Sequence, residues 1–360
     1  MFIHHRAICI WSAVLATTHA ASQVTIDWVN VGNAGNVADQ ATGFGAVEYA
    51  FRIGATEVTN EQYAAFLNAV ASSDPNGLYN TNMGSNPRGG ISRSGTNGTF
   101  VYAVKPNMGN KPVNYVSWYD AARMCNWLTY GQGAAVTDSG VYTFDGVSSV
   151  VAITRNLADP TQAFLPTEDE WYKAAYHQPA DLGRDADDYW LYATENNSTP
   201  AVAIAASNGD VANPGVGVVN YASSANWNGV SGNVTSVRSA GAASFYGAFD
   251  MNGNVSEWNE TLVDLSRGFR GGGVNSSASG LESLARRDFP PTEERLSLGF
   301  RLASPVCLAD VNADGLADPA DFNAWVLAFN SNAPACDQNG DSLCNPSDFN
   351  ALILNFNAGC

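Results

Sequence analysis

The alternation of apolar and polar positions marks three amphipathic helices, separated by long stretches without helical period. In ATEVTNEQYAAFLNAV (55–70), Tyr63, Phe66, Leu67 and Val70 recur at helical spacing, and Thr59 with Gln62 three places on forms a capping box. PVNYVSWYDAARMCNWL (112–128) reads as a strand end leading into a helix capped by Ser117, with Ala121, Ala122, Cys125 and Leu128 on its apolar face. A lone cysteine on such a face is a small buried hydrophobe rather than a nucleophile. FLPTEDEWYKAAYH (164–177) carries another capping box, Thr167 with Glu170, and a buried face of Trp171, Ala174 and Ala175. His177 closes that helix, where a cation suits the dipole, and is read as structural. Residues 23–56 are strand-and-turn sequence, 71–110 are Gly/Asn/Ser-rich loop, and 180–246 alternate short apolar runs with turns. With a closing strand from Gly299 to Ala303, this predicts a loop-rich α+β fold.

One stretch fits neither period. Gly247 to Trp258, GAFDMNGNVSEW, places Asp250, Asn252, Gly253, Asn254 and Glu257 within eight residues. Asn-Gly-Asn requires a tight turn with positive φ at or near Gly253. Such a turn flanked by carboxylates suits a hard cation held by side-chain and backbone oxygens.

The C-terminal segment is a repeat. DVNADGLADPADFNAWVLAFN (310–330) returns after 27 residues as DQNGDSLCNPSDFNALILNFN (337–357). Each copy has oxygen-bearing side chains at loop positions 1, 3, 5, 9 and 12, then an apolar helix, which is calcium-loop spacing with a backbone carbonyl at position 7. The ligands would be Asp310, Asn312, Asp314, Leu316, Asp318 and Asp321 in the first copy, and Asp337, Asn339, Asp341, Leu343, Asn345 and Asp348 in the second. From Leu302 to Cys360 there are seven aspartates and no Lys or Arg.

Composition narrows the function classes. With a formal charge of −17 and only 14% charged residues, the 360-residue chain lacks the basic surface that nucleic acid demands. A positive end (Met1 to Arg6), an apolar run (Ala7 to Thr17) and a small-residue cleavage site near Ala20 or Ser22 predict a secretory signal peptide over 1–22. No other run is long or apolar enough to span a membrane. Beyond residue 22 the one histidine is His177, and Cys125 stands apart from Cys307, Cys336, Cys344 and Cys360. Four cysteines in a short exported tail suggest two disulfides, with three pairings possible.

In order, EVTNEQYAAFLNA, PVNYVSWYDAARMCNWL, FLPTEDEWYKAA, YGAFDMNGNVSEW, FRGG and LGFRLAS resemble the formylglycine-generating enzyme (sulfatase-modifying factor) family over about residues 24–304. The resemblance implies a variant C-type-lectin fold and a calcium site, with Asp250 and Glu257 giving carboxylates and Gly253 and Val255 backbone carbonyls. Catalytic members carry a copper-binding cysteine pair just after the Gly-Gly of FRGG. Here that segment reads GGGVNSSASGLESLARR, with Ser276 near the first expected cysteine and Ser279 or Gly280 near the second. Serine is no substitute for the thiolate that holds soft Cu(I). A sister branch uses histidine-ligated iron, for which one imidazole is too few. The family's usual Trp after GNV is Ser256, and its usual Ser-Trp after Gly-Gly is Gly273-Val274, both near the groove of relatives. The tail resembles a type I dockerin, which implies a cohesin-like scaffold partner; Ser342 stands where the second loop usually has glycine, and Ser304-Pro305 reads as the linker.

The division expected is therefore signal peptide 1–22, main domain 23–304 and a small all-α calcium module 305–360. The functional expectation is a secreted, calcium-stabilised domain that binds a glycan or protein ligand, with no assigned catalytic residue and calcium as cofactor. Tyr189, Trp190, Tyr192, Tyr221 and Trp227 are candidates for stacking. The alternatives are a divergent formylglycine-generating-type oxidoreductase, a hydrolase in a polysaccharide-degrading assembly using acids such as Asp187, Asp188 and Glu195, or a structural anchor subunit.

Overall fold

The computed structural model describes residues 23–134, 136–157, 159–179, 188–312, 317–339 and 343–358. The segment 1–22 read as a leader lies outside the described residues, as do Asp187, Asp314, Leu316, Asp341, Ser342 and Cys360.

Each predicted helix forms where its cap begins. Helix α1 (Asn60–Val70) starts after Thr59, α2 (Trp118–Thr129) after Ser117 and α3 (Glu168–Tyr176) after Thr167, each with a reciprocal capping box. The faces of α1 and α2 meet in the main core, where Tyr63, Phe66 and Leu67 pack with Trp118, Ala121, Ala122 and Cys125 against Trp258, Phe269 and Phe300. Cys125 is a free, buried thiol, and burial pushes its pKa well up, as expected of a packing residue.

Two sheets frame this core. In the first, β1 (Trp28–Val31), β2 (Phe51–Gly54) and β7 (Ala303–Pro305) pair antiparallel in that order. In the second, β3 (Ser256–Val263) is central, flanked antiparallel by β4 (Ser266–Arg270) and parallel by β6 (Leu298–Phe300); β5 (Arg287–Phe289) covers the far edge of β4. Strands β1 and β2 pack on α3 through Val31, Phe51, Ile53, Trp171, Tyr172 and Ala175. Residues 71–110 are not loop throughout: Ile91–Ser94 and Val101–Val104 form an antiparallel ladder.

Ser304 and Pro305 prove to be sheet, not linker. Both are buried in β7, and Arg52 donates to the Ser304 hydroxyl and the Pro305 carbonyl. Proline is tolerated there because β7 is an edge strand of its sheet. Beyond it, helices α4 (Pro319–Ser331) and α5 (Pro346–Ala358) follow the two acidic loops and share a small core of Trp325, Ala328, Cys336 and Leu352. Cys336 pairs with Cys344, and Cys307 is also disulfide-bonded. Stapling suits a module this small.

His177 caps α3 but is not the cation that its position suggests. It is 1% exposed, its Nδ1 lies 2.6 Å from the Tyr246 hydroxyl, and the two rings stack. Burial, with Lys173 alongside, lowers its pKa from 6.5 to about 4. The unfolded chain therefore takes this proton at a higher pH than the folded one. Stability from the neutral imidazole is complete above pH 6.5 and is lost as pH falls toward 4. Between pH 7 and 4, urea denaturation should show about 2 kcal/mol more loss in the native protein than in His177→Gln; parallel pH curves would disprove this role.

Candidate functional site

The segment that fits no regular period wraps around a buried ion pair. Arg301 follows β6 and Glu257 lies in β3, and both side chains are fully buried. Arg301 Nε and Nη2 donate to the two carboxylate oxygens at 2.5 and 2.6 Å. Trp171 Nε1 of α3 donates to the same carboxylate at 2.7 Å. The remaining guanidinium donors reach the Gly54 carbonyl at the end of β2 and the Phe249 carbonyl at the entry to the turn. A planar fork with five donors can satisfy three segments at once in fixed directions, one of them through a two-pronged carboxylate pair that a lysine ammonium does not match.

The turn itself has positive φ at Asp250, Gly253 and Asn254 (55, 83 and 57°). A Cβ on Gly253 would come within 2.5 Å of the Asn220 carbonyl oxygen, so the glycine is required for close approach as well as for φ. The flanking amides hold neighbouring loops: Asn254 Oδ1 accepts from Thr235 N, Asn252 Oδ1 from Ala193 N, and Asn252 Nδ2 donates to the Leu281 carbonyl.

The carboxylates are arranged differently from the set the resemblance implies. Glu257 is the counter-ion of Arg301, with both oxygens engaged. Asp250 Oδ2 accepts from the Arg238 backbone N–H at 2.6 Å. Beside them sits Glu57, fully buried, with neither carboxylate oxygen bonded to any donor. Burial raises Asp250 to about pKa 6 and pushes Glu57 well above the carboxylate range, the nearby Asp250 and Glu257 charges adding to the latter. Among the described residues no hydrogen bond reaches the Gly253 or Val255 carbonyl oxygens. The corner is rich in oxygen and only partly neutralised, but among the described residues no group of three or more His, Cys, Asp or Glu side chains is placed to hold a metal ion. Nothing in the local sequence around Glu57 marked it; its significance comes from distant Asp250.

At the other end of the turn, Ser256 opens onto a cavity of about 210 Å3 in front of Gly271 and Gly272. Phe269, Asn275, Ser276, Arg287, Phe289, Arg295 and Ser297 also line it. Ser276 Oγ accepts from Gly273 N at 3.0 Å, closing the Gly-Gly turn. Among the described residues the wall contains no thiol and no imidazole.

The sequence model for the sulfatase-modifying factor enzyme 1-like domain matches residues 29–306. The chain belongs to this family. Solved structures similar to it include CarF (22% identity, TM-score 0.49, covering 78% of this chain and 99% of that one). Variable protein 1 of Treponema denticola (18%, 0.43, 80% and 98%) and PvdO from Pseudomonas aeruginosa (16%, 0.39, 78% and 92%) are also similar. No curated protein matches the chain.

Within this sulfatase-modifying-factor-like domain, Tyr189, Tyr192, Tyr221 and Trp227 are buried, and Tyr189 and Tyr221 donate to backbone carbonyls. They are core residues rather than a stacking surface. Of the acids considered for hydrolysis, Glu195 is exposed.

In the tail, the position-12 aspartates organise both loops in the same way. Asp321 accepts from the Asn312 and Asp318 backbone N–H groups, and Asp348 from those of Asn339 and Asn345. Asp310 and Asp337 open the two loops, and Leu343 is exposed with its side chain outward. Arg301 should be the most sensitive cation in the molecule. Arg301→Leu leaves Glu257 buried without its partner and should cost about 3–5 kcal/mol in denaturant unfolding, while Arg301→Leu with Glu257→Leu should recover part of it. A loss below about 1 kcal/mol for the single variant would show that the pair is not what joins these segments.

Proposed function

We propose that this protein is an exported, ligand-binding member of the sulfatase-modifying factor family, stabilised by calcium and delivered to a cohesin-like scaffold or surface protein by its C-terminal module. The observation that carries this reading is the cleft wall. Where catalytic relatives carry thiols, the wall has Ser276 and Gly280, and Cys125 is buried in the α1–α2 core instead. A hydroxyl-lined cleft can hold a glycan or protein group by hydrogen bonds, whereas copper-based oxygen activation needs thiolates.

Calcium would be held in the main domain by Asp250, Glu57 and the Gly253 and Val255 carbonyls. There it would supply the positive charge that two of the three clustered carboxylates lack, fixing the turn that bounds the cleft. In the tail, the two six-residue ligand sets begun by Asp310 and Asp337 would each hold one ion. The docking surface proposed for the scaffold is the exposed apolar side of α4 and α5, where Leu327 and Leu354 are 71% and 70% exposed and Phe322 and Ile353 are exposed too. Leu327 and Leu354 occupy equivalent places in the two repeats.

Calcium titration by calorimetry should count about three ions, falling to about one in Asp310→Ala with Asp337→Ala. Glycan-array and scaffold-protein screens of the full chain should give binding that Gly273→Arg abolishes, since a side chain there meets Ser297 at once. A blank array together with oxygen consumption on a cysteine-containing sulfatase peptide would overturn the binding reading in favour of an oxidase.

A further inference from the structure

Arginines are few in this chain, and nearly all the described ones are committed. Arg155 is tied to Glu170 and Glu260, Arg270 and Arg286 to Glu168, Arg301 to Glu257, Arg123 to Asp138 and Arg238 to Asp27. Arg52, Arg88 and Arg267 donate to backbone carbonyls. Arg287 is the exception: among the described residues its guanidinium makes no hydrogen bond and no ion pair, although it lines the cleft.

The local fold explains its placement. Side chains alternate along a strand, so Arg287 and Phe289 of β5 share the face toward the cleft and Asp288 takes the other. Phe289 is sandwiched, with Phe269 stacked 4.7 Å away and the Arg295 guanidinium 4.3 Å from its ring centroid. That stacking fixes Arg295 at the rim, where it also meets Glu293 at 3.0 Å. The Ser256 and Ser297 hydroxyls and the Asn275 amide face the same cavity without partners among the described residues. In a chain of net charge −17, this is a local concentration of unused donors around one free cation.

We infer that the cleft binds its ligand through an oxyanion, a carboxylate or a sulfate ester, gripped by Arg287 with Arg295 at its flank. The inference rests on the ligand-binding reading proposed above and narrows it to acidic ligands. A guanidinium fork matches the planar pair of oxygens that such a group presents. The cavity is smaller than the roughly 300–1,000 Å3 typical of sites for drug-sized molecules. It therefore suits a single acidic sugar residue, with the free hydroxyls and amide of the wall meeting the sugar's own hydroxyls.

The test uses the full-length protein and three matched probes: galacturonate, galactose 6-sulfate and galactose. Calorimetry at low ionic strength should show one-to-one binding of at least one charged probe, with galactose at least about tenfold weaker, and added salt should weaken the charged probe alone. Arg287→Ala should lose about tenfold or more of that affinity, and Arg287→Lys should restore part of it; unchanged thermal melting verifies that both variants fold. Preference between the two charged probes decides carboxylate against sulfate. Equal binding of galactose, or full affinity in Arg287→Ala, overturns the oxyanion inference and leaves the ligand-binding reading intact. No binding by any probe overturns it too, while the array screen decides separately whether the cleft binds anything at all.

Discussion

The Arg301–Glu257 pair is the interaction on which the main domain depends. Moving two charges out of water is costly, and the cost is offset here because every carboxylate oxygen and most guanidinium donors are matched. The pair itself adds little net stability compared with an apolar substitute. Its effect is on specificity: with Trp171, Gly54 and Phe249 as further partners, it admits one arrangement of β2, α3, the Gly247–Trp258 turn and the end of β6. Loops as long as those of this domain need such a fixed point, since they have little regular structure of their own to set their course.

From that point two distinct neighbourhoods lie in opposite directions along one turn. On the Asp250 side, Glu57 and Asp250 share a buried corner whose charge Arg301 does not neutralise. On the Ser256 side, the chain enters β3 and the wall of the cleft. Ser256, Ser276 and Ser297 bring hydroxyls to this wall without disturbing the frame that shapes it. Ser276 even takes a structural part, receiving a hydrogen bond from Gly273.

The tail works on a different plan. Its two copies hold themselves together through aspartates 27 residues apart, each receiving backbone N–H groups from its own loop. Each loop is thus a local unit, and Trp325, Phe322, Phe349 and Leu352 are among the side chains that join the two helices around one small core. Leu327, Ile353 and Leu354 stay exposed, which leaves the module with uncovered apolar surface.

What the sequence determined by itself is what nearby residues decide. Thr59, Ser117 and Thr167 announce the helices because a cap and its partner are three residues apart. Asn-Gly-Asn announces its turn because φ is a property of the residue, and the repeat announces its two helices because the same apolar run returns 27 residues on. Tertiary structure alone decided the rest. His177 is neutral rather than cationic because Tyr246 and the surrounding core remove it from water, and Ser304-Pro305 is strand rather than linker because β2 is there to receive it. Glu57 gains meaning from Asp250, nearly 200 positions away. Arg287 became notable only once every other described arginine had found a partner. Charge, burial and hydrogen-bond satisfaction are sums over neighbours in space, and a linear sequence does not say who those neighbours are.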